Sequence, residues 1–352
     1  MPLTHTHTKT HGFINYLKKF AAKRRFILNH SIPVSLELRL FSSRNLKYRL
    51  QPLCFSMSRM LFPNPFHAEG SWLKGNLHTH TTNSDGLLTP FQTAFLYQAN
   101  GYDFLSITDH GKLTDISELT ERFEDFLLIP GEEIDIGNLH LIAFNIETEI
   151  RSELSPHEVI SEVSNQGGEI ILAHPYWSAL TLEDLTAING YLGIEIYNAT
   201  CDVSVAKGYS TVHWDNLLHR GRYTYGFAVD DAHRGLSLQT PTDTCKGWIM
   251  VKAPKLDLES LMNSLRKGLF YASTGPEIYD VQINGETIHV KTSPAQSVNF
   301  IAKNGLGRRL VAMDKPLSQA SYTVKGHEGY IRIEVEDGKG GTAWTNPIIL
   351  QG

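Results

Sequence analysis

Cysteine is scarce in this chain and unpaired in pattern: Cys54, Cys201 and Cys245 form an odd, scattered set with no C-x-x-C spacing. That excludes a disulfide-stapled scaffold and a thiolate zinc ribbon, and it fits a reducing compartment such as the cytoplasm. Long apolar runs are absent as well. No stretch reaches the ~18 residues that would cross a bilayer, so no membrane span is expected. There is no G-x-S-x-G, so a serine nucleophile on a strand-to-helix elbow is not indicated. Acidic residues are nearly missing from one region. Residues 1–60 hold eleven Lys or Arg and a single acid, Glu37. Against a whole-chain balance of −5, the remainder carries a net −15. Such a body is a poor surface for the backbone of extended nucleic acid and suits a protein that gathers divalent cations.

What is present divides into three parts. Residues 1–70 read as a basic leader without a steady apolar period. Three readings stand open for it: an Arg-rich transit peptide to an organelle, a basic arm for a membrane surface or nucleic acid, and an unstructured extension ahead of a start at Met57 or Met60. Residues 71–276 alternate apolar strands with helices. "TPFQTAFLYQANG" has Thr89 as a cap, Pro90 in the first turn and Gly101 as a stop, and "SPHEVISEVSNQGG" opens on a Ser155–Glu158 capping box. "ISELTERFEDF", "TLEDLTAING", "VAKGYSTVHWDNLLHRG" and "LDLESLMNSLRKG" complete the expected helices. About seven strand–helix units imply parallel pairing and an α/β, barrel-like sheet, with its site at the C-terminal ends of the strands. Residues 277–352 lose the helices. Short strands joined by Asn-Gly and Asp-Gly turns predict a small all-β, sandwich-like module.

The chemistry gathers where the strands end. His78, His80 and Asp85 follow the first strand, and Asp109 and His110 the second. Glu132 and Glu133 follow the third, and His140 lies in the fourth. His174 follows "ILA", Glu195 sits in "IEIYN", and Asp230, Asp231 and His233 close "FAVDDAH". His-x-His and Asp-x-His put both side chains on one face, because a strand repeats every two residues. Imidazole with carboxylate suits Zn, Mn or Fe, and carboxylates can bridge two ions. Each cluster alone reads as readily as a surface accident or a capped strand end. Together they gather six of the chain's sixteen histidines, which metal ligation explains economically. A second His-Thr-His at His5–His7 has no strand beneath it. Ordering a flexible chain costs about 1–2 kcal/mol per residue, so that copy is set aside.

The motifs "LHTHTTNSDG", "LSITDHG", "PGEEI", "HLIAF", "LAHP" and "DDAH", in this order, resemble those of the polymerase and histidinol phosphatase (PHP) family of metal-dependent phosphoesterases. The resemblance covers residues 71–276. It implies a distorted (β/α)7 barrel with two or three divalent ions. One ion would take His78, His80, Glu133 and Asp231; a second would share Glu133 and take His140 and His174; a third would take Asp85, His110 and His233. Asp85 stands where some members carry histidine. Within "GEE" and "DDAH" the resemblance favours Glu133 and Asp231 over Glu132 and Asp230. Asp109 and Glu195 are expected to orient histidines, and Arg234 to clamp phosphate.

The implied activity is hydrolysis of a phosphomonoester or phosphodiester, a nucleotide or another small phosphorylated metabolite, by a hydroxide shared between the ions. Two alternatives remain: hydrolysis of a carboxylester, amide or carbamate at the same site, for which Tyr176 and Trp177 would supply an apolar wall, and a non-catalytic metal-binding module. The β module is expected to close one side of the cleft or to mediate a homodimer.

Overall fold

The computed structural model describes residues 59–151, 153–235 and 242–351; most of the basic leader lies outside them. Strands follow in the order β1 (Arg59–Leu61), β2 (Ser71–Asn76), β3 (Phe104–Ile107), β4 (Leu127–Ile136), β5 (Leu139–Phe144), β6 (Glu169–Leu172), β7 (Gly193–Asn198), β8 (Tyr225–Val229), β9 (Trp248–Ala253) and β10 (Phe270–Ser273). The C-terminal part adds β11 (Ile278–Asn284), β12 (Thr287–Ala295), β13 (Ser297–Ala302), β14 (Gly307–Val311), β15 (Leu317–Thr323), β16 (Tyr330–Glu336), β17 (Thr342–Thr345) and β18 (Ile348–Gln351). Helices are α1 (Pro90–Ala99), α2 (Ser117–Thr120), α3 (Pro156–Asn165), α4 (Leu182–Ala187), α5 (Ala199–Val205), α6 (Thr211–His219) and α7 (Leu258–Arg266).

The helix starts follow capping chemistry. Thr89 and Gln92 satisfy each other's backbone at α1, and Thr181 and Asp184 do so at α4. Ser155 N donates to Glu158 Oε2 at 2.8 Å ahead of α3. Two predicted helices differ. The stretch around Ser117–Thr120 makes a single turn. The long helix expected from Val205 to Gly221 begins only at Thr211, and the preceding α5 ends on Ala206 in the left-handed region at φ 57°.

Among the described residues one sheet runs β1-β18-β16-β17-β10-β9-β2-β3-β4-β5-β6-β7-β8. Pairing is parallel at β2–β3, β3–β4, β6–β7 and β7–β8, and antiparallel at β4–β5 and β5–β6. The expectation of uniform parallel pairing therefore fails at β4–β5. Ile136 pairs with Leu139 across a two-residue turn, whose Gly137 adopts φ 63°, a positive φ that glycine reaches freely and hairpin turns demand. The ladder is also not closed into a barrel. In place of a β8–β2 pairing, one parallel bridge joins Thr79 to Ala232.

The all-β part is continuous with this sheet, because β17 pairs with β10. A three-stranded sheet, β11-β12-β15, packs on the extension through Val281, Ile288, Val290 and Tyr322 against Phe300, Ile331 and Ile333. Residues 59–70, grouped by composition with the leader, take part. Arg59–Leu61 pair with Ile349–Gln351, and Phe66 lies 5.4 Å from Trp72 and 5.9 Å from Tyr271, ring to ring. No helix among the described residues is long and apolar enough to cross a membrane.

Candidate metal centre

The Thr79–Ala232 bridge builds the middle of the site. Its two threads are held by His80 N donating to Ala232 O at 3.0 Å and Asp231 N donating to His78 O at 2.9 Å. With Thr79 and Ala232 in the bridge, the residues on either side of each alternate to the other face. That face gathers His78, His80, Asp231 and His233. Asp231 takes φ 54° to do so. From the neighbouring strands β4, β5 and the end of β6 come Glu133, His140 and His174.

The innermost group has an unusual geometry. His78 Nε2 lies 3.0 Å from His80 Nε2, 3.0 Å from Glu133 Oε2 and 3.1 Å from Asp231 Oδ1. His80 Nε2 lies 3.0 Å from each of the same two carboxylate oxygens. Hydrogen bonds cannot account for five such contacts, because each imidazole nitrogen carries at most one proton. Asp231 Oδ1 is buried without a hydrogen bond. Spacings near 3 Å between donor atoms are those produced around one small ion with bonds of ~2.0–2.2 Å. A nitrogen–oxygen donor set without cysteine fits a divalent transition ion.

Around it lie two further groups. Glu133 Oε1 is 2.8 Å from His140 Nδ1 and 3.3 Å from His174 Nε2, so one carboxylate serves both groups. Asp85 Oδ2 is 3.3 Å from His233 Nε2 and 3.9 Å from His110 Nε2, and the rings of His110 and His233 each stack against that of His80, at 4.4 and 4.2 Å. The nine expected ligands thus converge on one mouth, in groups whose donor atoms all lie within 4.8 Å of one another.

The residues behind them fix tautomers. Glu195 Oε1 is 2.7 Å from His78 Nδ1, which keeps that proton on Nδ1 and leaves Nε2 as a donor toward the cluster. Glu195 Oε2 accepts from the His174 backbone N at 2.8 Å and from Asn198 Nδ2 at 2.9 Å, and Asn198 also donates to Asp231 Oδ2 at 3.1 Å. Asp109 touches no imidazole. It accepts from Thr81 N and Oγ1, at 2.7 and 2.8 Å, and from Ser84 Oγ at 2.7 Å; Ser84 Oγ lies 3.4 Å from His80 Nδ1. Its reach toward a histidine is through Ser84. Arg234 donates to Ser204 Oγ at 2.8 Å on the rim of the cleft.

The neighbouring acids are turned away. Glu132 sits on the opposite face of β4, where its Oε2 accepts from Ile150 N at 2.9 Å; burial pushes its carboxyl up to about 7. Asp230 accepts from Tyr97 Oη at 2.6 Å and from the backbone N of Cys245, Lys246 and Gly247. In the cluster itself charges dominate. Burial pulls His80 down, yet Asp231 and Glu133 outweigh it and hold the imidazole up at about 9. Burial pushes Glu133 up, yet His78, His140 and His174 hold it well below the ordinary carboxylate range. The same negative charge that holds protons here would attract a divalent cation, whose binding would displace them.

Several residues escaped the sequence reading: Asn198; Ser178, whose Oγ is 3.0 Å from His174 Nδ1; Asp135, beside His110 and His140; and Asp243. The last accepts from Thr200 Oγ1 at 2.8 Å and from His233 N at 3.0 Å, which ties the His233 loop to α5. The cleft above the cluster has a volume of about 340 Å³ and is walled by Trp177, Thr200, Cys201 and Ser204.

The chain matches no protein-family model. An uncharacterized protein of Methanocaldococcus jannaschii is 27% identical over 141 residues, 36% of this chain and 82% of that protein. Among solved structures, the chain is similar to a two-domain protein of Bacteroides vulgatus described as containing a "predicted PHP-like metal-dependent phosphoesterase", at TM-score 0.47 and 17% identity over 79% of this chain and 95% of that one. It is also similar to a proposed metal-dependent phosphoesterase of Bifidobacterium adolescentis, at TM-score 0.38 and 16% identity over 55% of this chain and 96% of that one. A third likeness is to an amidohydrolase of Chromobacterium violaceum, at TM-score 0.34 and 15% identity over 48% and 92%.

Proposed function

We propose that this chain is a PHP-type metal-dependent hydrolase, its sheet a distorted relative of the (β/α)7 barrel, and that it cleaves a small-molecule phosphoester. The observation that carries the reading is the innermost group. Two imidazoles and two carboxylates meet at 3.0–3.1 Å with too few protons to bond them. His78, His80, Glu133 and Asp231 would hold one ion, and Glu133, His140 and His174 a second. Asp85, His110 and His233 would hold a third, with Mn, Zn or Fe as the candidate metals. When bound, the ions would supply Lewis acidity toward water and toward the phosphoryl oxygens.

The chain's own groups do the rest. Glu195, Asn198 and Ser178 orient the His78 and His174 imidazoles and Asp231 toward the cluster. Trp177, 44% exposed, stands edge-on to His174 and His140 at 5.0 and 5.8 Å and shields that side of the cleft from water. Arg234, at Ser204, is the guanidinium that reaches the rim, where a phosphate oxygen pair would meet it as a fork. Cys201 is the thiol on the wall. Burial, with Asp231, Glu195 and Glu133 nearby, pushes it far above the ordinary thiol range, which disfavours the thiolate. In this reading water is the attacking group.

The specific footing for the second reading, carboxylester or amide cleavage, is Trp177, whose exposed face offers an apolar wall beside the cluster. One panel separates the two. Protein reconstituted with Mn or Zn is offered an aryl phosphomonoester, an aryl phosphodiester, nucleotides and an aryl carboxylester. Turnover of a phosphoester is expected. Turnover of the carboxylester alone overturns the phosphoesterase reading. Ions bound with no turnover of any compound would favour the binding-module alternative.

A further inference from the structure

We infer that Asp135 is a further metal-binding carboxylate, one that serves the ions held beyond the innermost group; the inference rests on the metal reading above and sharpens it. The sequence logic is the strand period. In β4, Glu133 and Asp135 are two residues apart and share a face, while Glu132 takes the other. Asp135 also stands directly opposite His140 in the β4–β5 register.

The geometry puts one carboxylate oxygen on each of two histidines. Asp135 Oδ1 is 3.1 Å from His140 Nδ1, and Asp135 Oδ2 is 3.1 Å from His110 Nδ1. Both nitrogens already face Glu133, at 2.8 Å from His140 and 3.4 Å from His110. Each nitrogen therefore meets two carboxylates with one proton at most. His110 Nδ1 is moreover buried without a hydrogen-bond partner. His110, Glu133 and Asp135 form a donor set within 4.8 Å that overlaps the set of Glu133, His140 and His174. Folding alone does not demand an acid here. The Asp135 side chain is 45% exposed and would be solvated wherever it pointed. Its two oxygens instead face imidazole nitrogens. A cation between them would engage both carboxylates and the imidazole lone pairs at once, where a proton on each nitrogen could bond it to only one of its two carboxylates.

The consequence is a division of labour. Asp135 lies outside the His78, His80, Glu133 and Asp231 group, so its removal should spare the first ion and weaken those bound after it. The test is ion binding by the full chain, independent of turnover. Metal-free wild type, Asp135→Asn, Asp135→Ala and Asp135→Glu are titrated with Mn²⁺ and with Zn²⁺ by calorimetry. Bound Mn²⁺ is counted by electron paramagnetic resonance. The expected result is multi-ion binding by the wild type. Asp135→Asn and Asp135→Ala should retain the tightest ion and bind the later ones more weakly by over ~100-fold, the upper bound for a residue that only orients a ligand, with part of the loss recovered in Asp135→Glu. Asp135→Asn keeps the side-chain volume, so misfolding does not obscure the comparison. Multi-ion binding by the wild type with identical isotherms for Asp135→Asn and Asp135→Ala overturns this inference and leaves the metal reading standing. Binding of one ion alone by the wild type overturns it as well. No binding by the wild type overturns both.

Discussion

Two of the molecule's buried charge clusters differ in kind, and only one of the two is self-sufficient. At the junction between α6 and β16, Arg332 is 2% exposed. Its Nε and Nη2 each donate to Asp215 at 2.8 Å, and its Nη1 donates to Glu334 at 2.8 Å. Tyr330 Oη and Trp344 Nε1 donate to the same two carboxylates at 3.1 and 3.0 Å. Each guanidinium nitrogen, the Tyr330 hydroxyl and the Trp344 indole there has a carboxylate acceptor, an arrangement that protons alone can satisfy. At the mouth of the strands the reverse holds. Acceptors and lone pairs outnumber protons, and Asp231 Oδ1 and His110 Nδ1 are buried without a hydrogen bond. The lesson is that burial and charge do not by themselves mark a functional site. The proton count separates these two: the Arg332 junction is complete as it stands, whereas on the metal reading proposed above a cation would complete the mouth.

Breaking each cluster should therefore give a different kind of failure. The largest effect is expected at the mouth. Asp231→Asn and His80→Ala remove innermost donors and should lower affinity for the first ion by more than the ~100-fold that bounds the effect of residues one step removed. Metal content after gel filtration and turnover should fall together. Chelation of the wild type should give the same inactivity, reversed by adding Mn or Zn. Arg332→Met should fail as a fold instead. It leaves Asp215 and Glu334 without their partner, at a cost of about 3–5 kcal/mol seen in urea denaturation, while the surviving folded protein binds ions as the wild type does. Loss of ions in Arg332→Met at concentrations where it is folded would show that the two clusters are coupled and would blunt the contrast. Glu195→Gln comes next. It keeps the shape but weakens acceptance of the His78 Nδ1 proton, and ion affinity should drop by about 10–100-fold with little change in the denaturation midpoint of the metal-free protein.

The sequence exposed the mouth far better than the junction. His78, His80, Asp231 and His233 were legible because a two-residue period at a strand end leaves a local trace. Glu133 and His174 were legible for the same reason, each next to an apolar run. Asn198 was not, because an asparagine after a strand is an ordinary helix cap. It does cap α5, accepting from Cys201 N at 2.9 Å, and its amide serves Glu195 and Asp231 at the same time. Asp243 sits ten residues beyond His233 in irregular chain, with no period to tie it there. Asp135 had a signal, the Glu-x-Asp spacing within β4, which strand logic already supplied. The strands were likewise legible while their directions were not. Whether β5 runs against β4 depends on one Gly-Asn turn. Whether β8 pairs with β2 depends on contacts some 150 residues apart, of which the single bridge Thr79–Ala232 forms. Arg332 and Asp215, 117 positions apart, left no local trace at all.

The smallest effect sharpens the contrast from within the β module. Glu328 is fully buried, yet it is satisfied in the manner of Arg332. Its carboxylate accepts from Lys325 N at 2.7 Å, Tyr322 Oη at 2.8 Å and His327 N at 2.9 Å. Burial pushes the carboxyl up, but these donors outweigh it and hold it below the ordinary glutamate range. A carboxyl depressed in the folded state binds fewer protons there than in the unfolded chain. Its contribution is therefore present in full above the unfolded value of about 4.3 and is lost as pH falls through the folded value. Glu328→Gln should cost about 1 kcal/mol at pH 7, and the gap from the wild type should close as pH is lowered through the acid range. The ion content of the variant should match the wild type throughout. A gap that stays constant with pH would mean that the side chain's shape, and not its charge, holds the β15–β16 connection, and Glu328 would then no longer stand with Arg332 as a buried charge completed by protons.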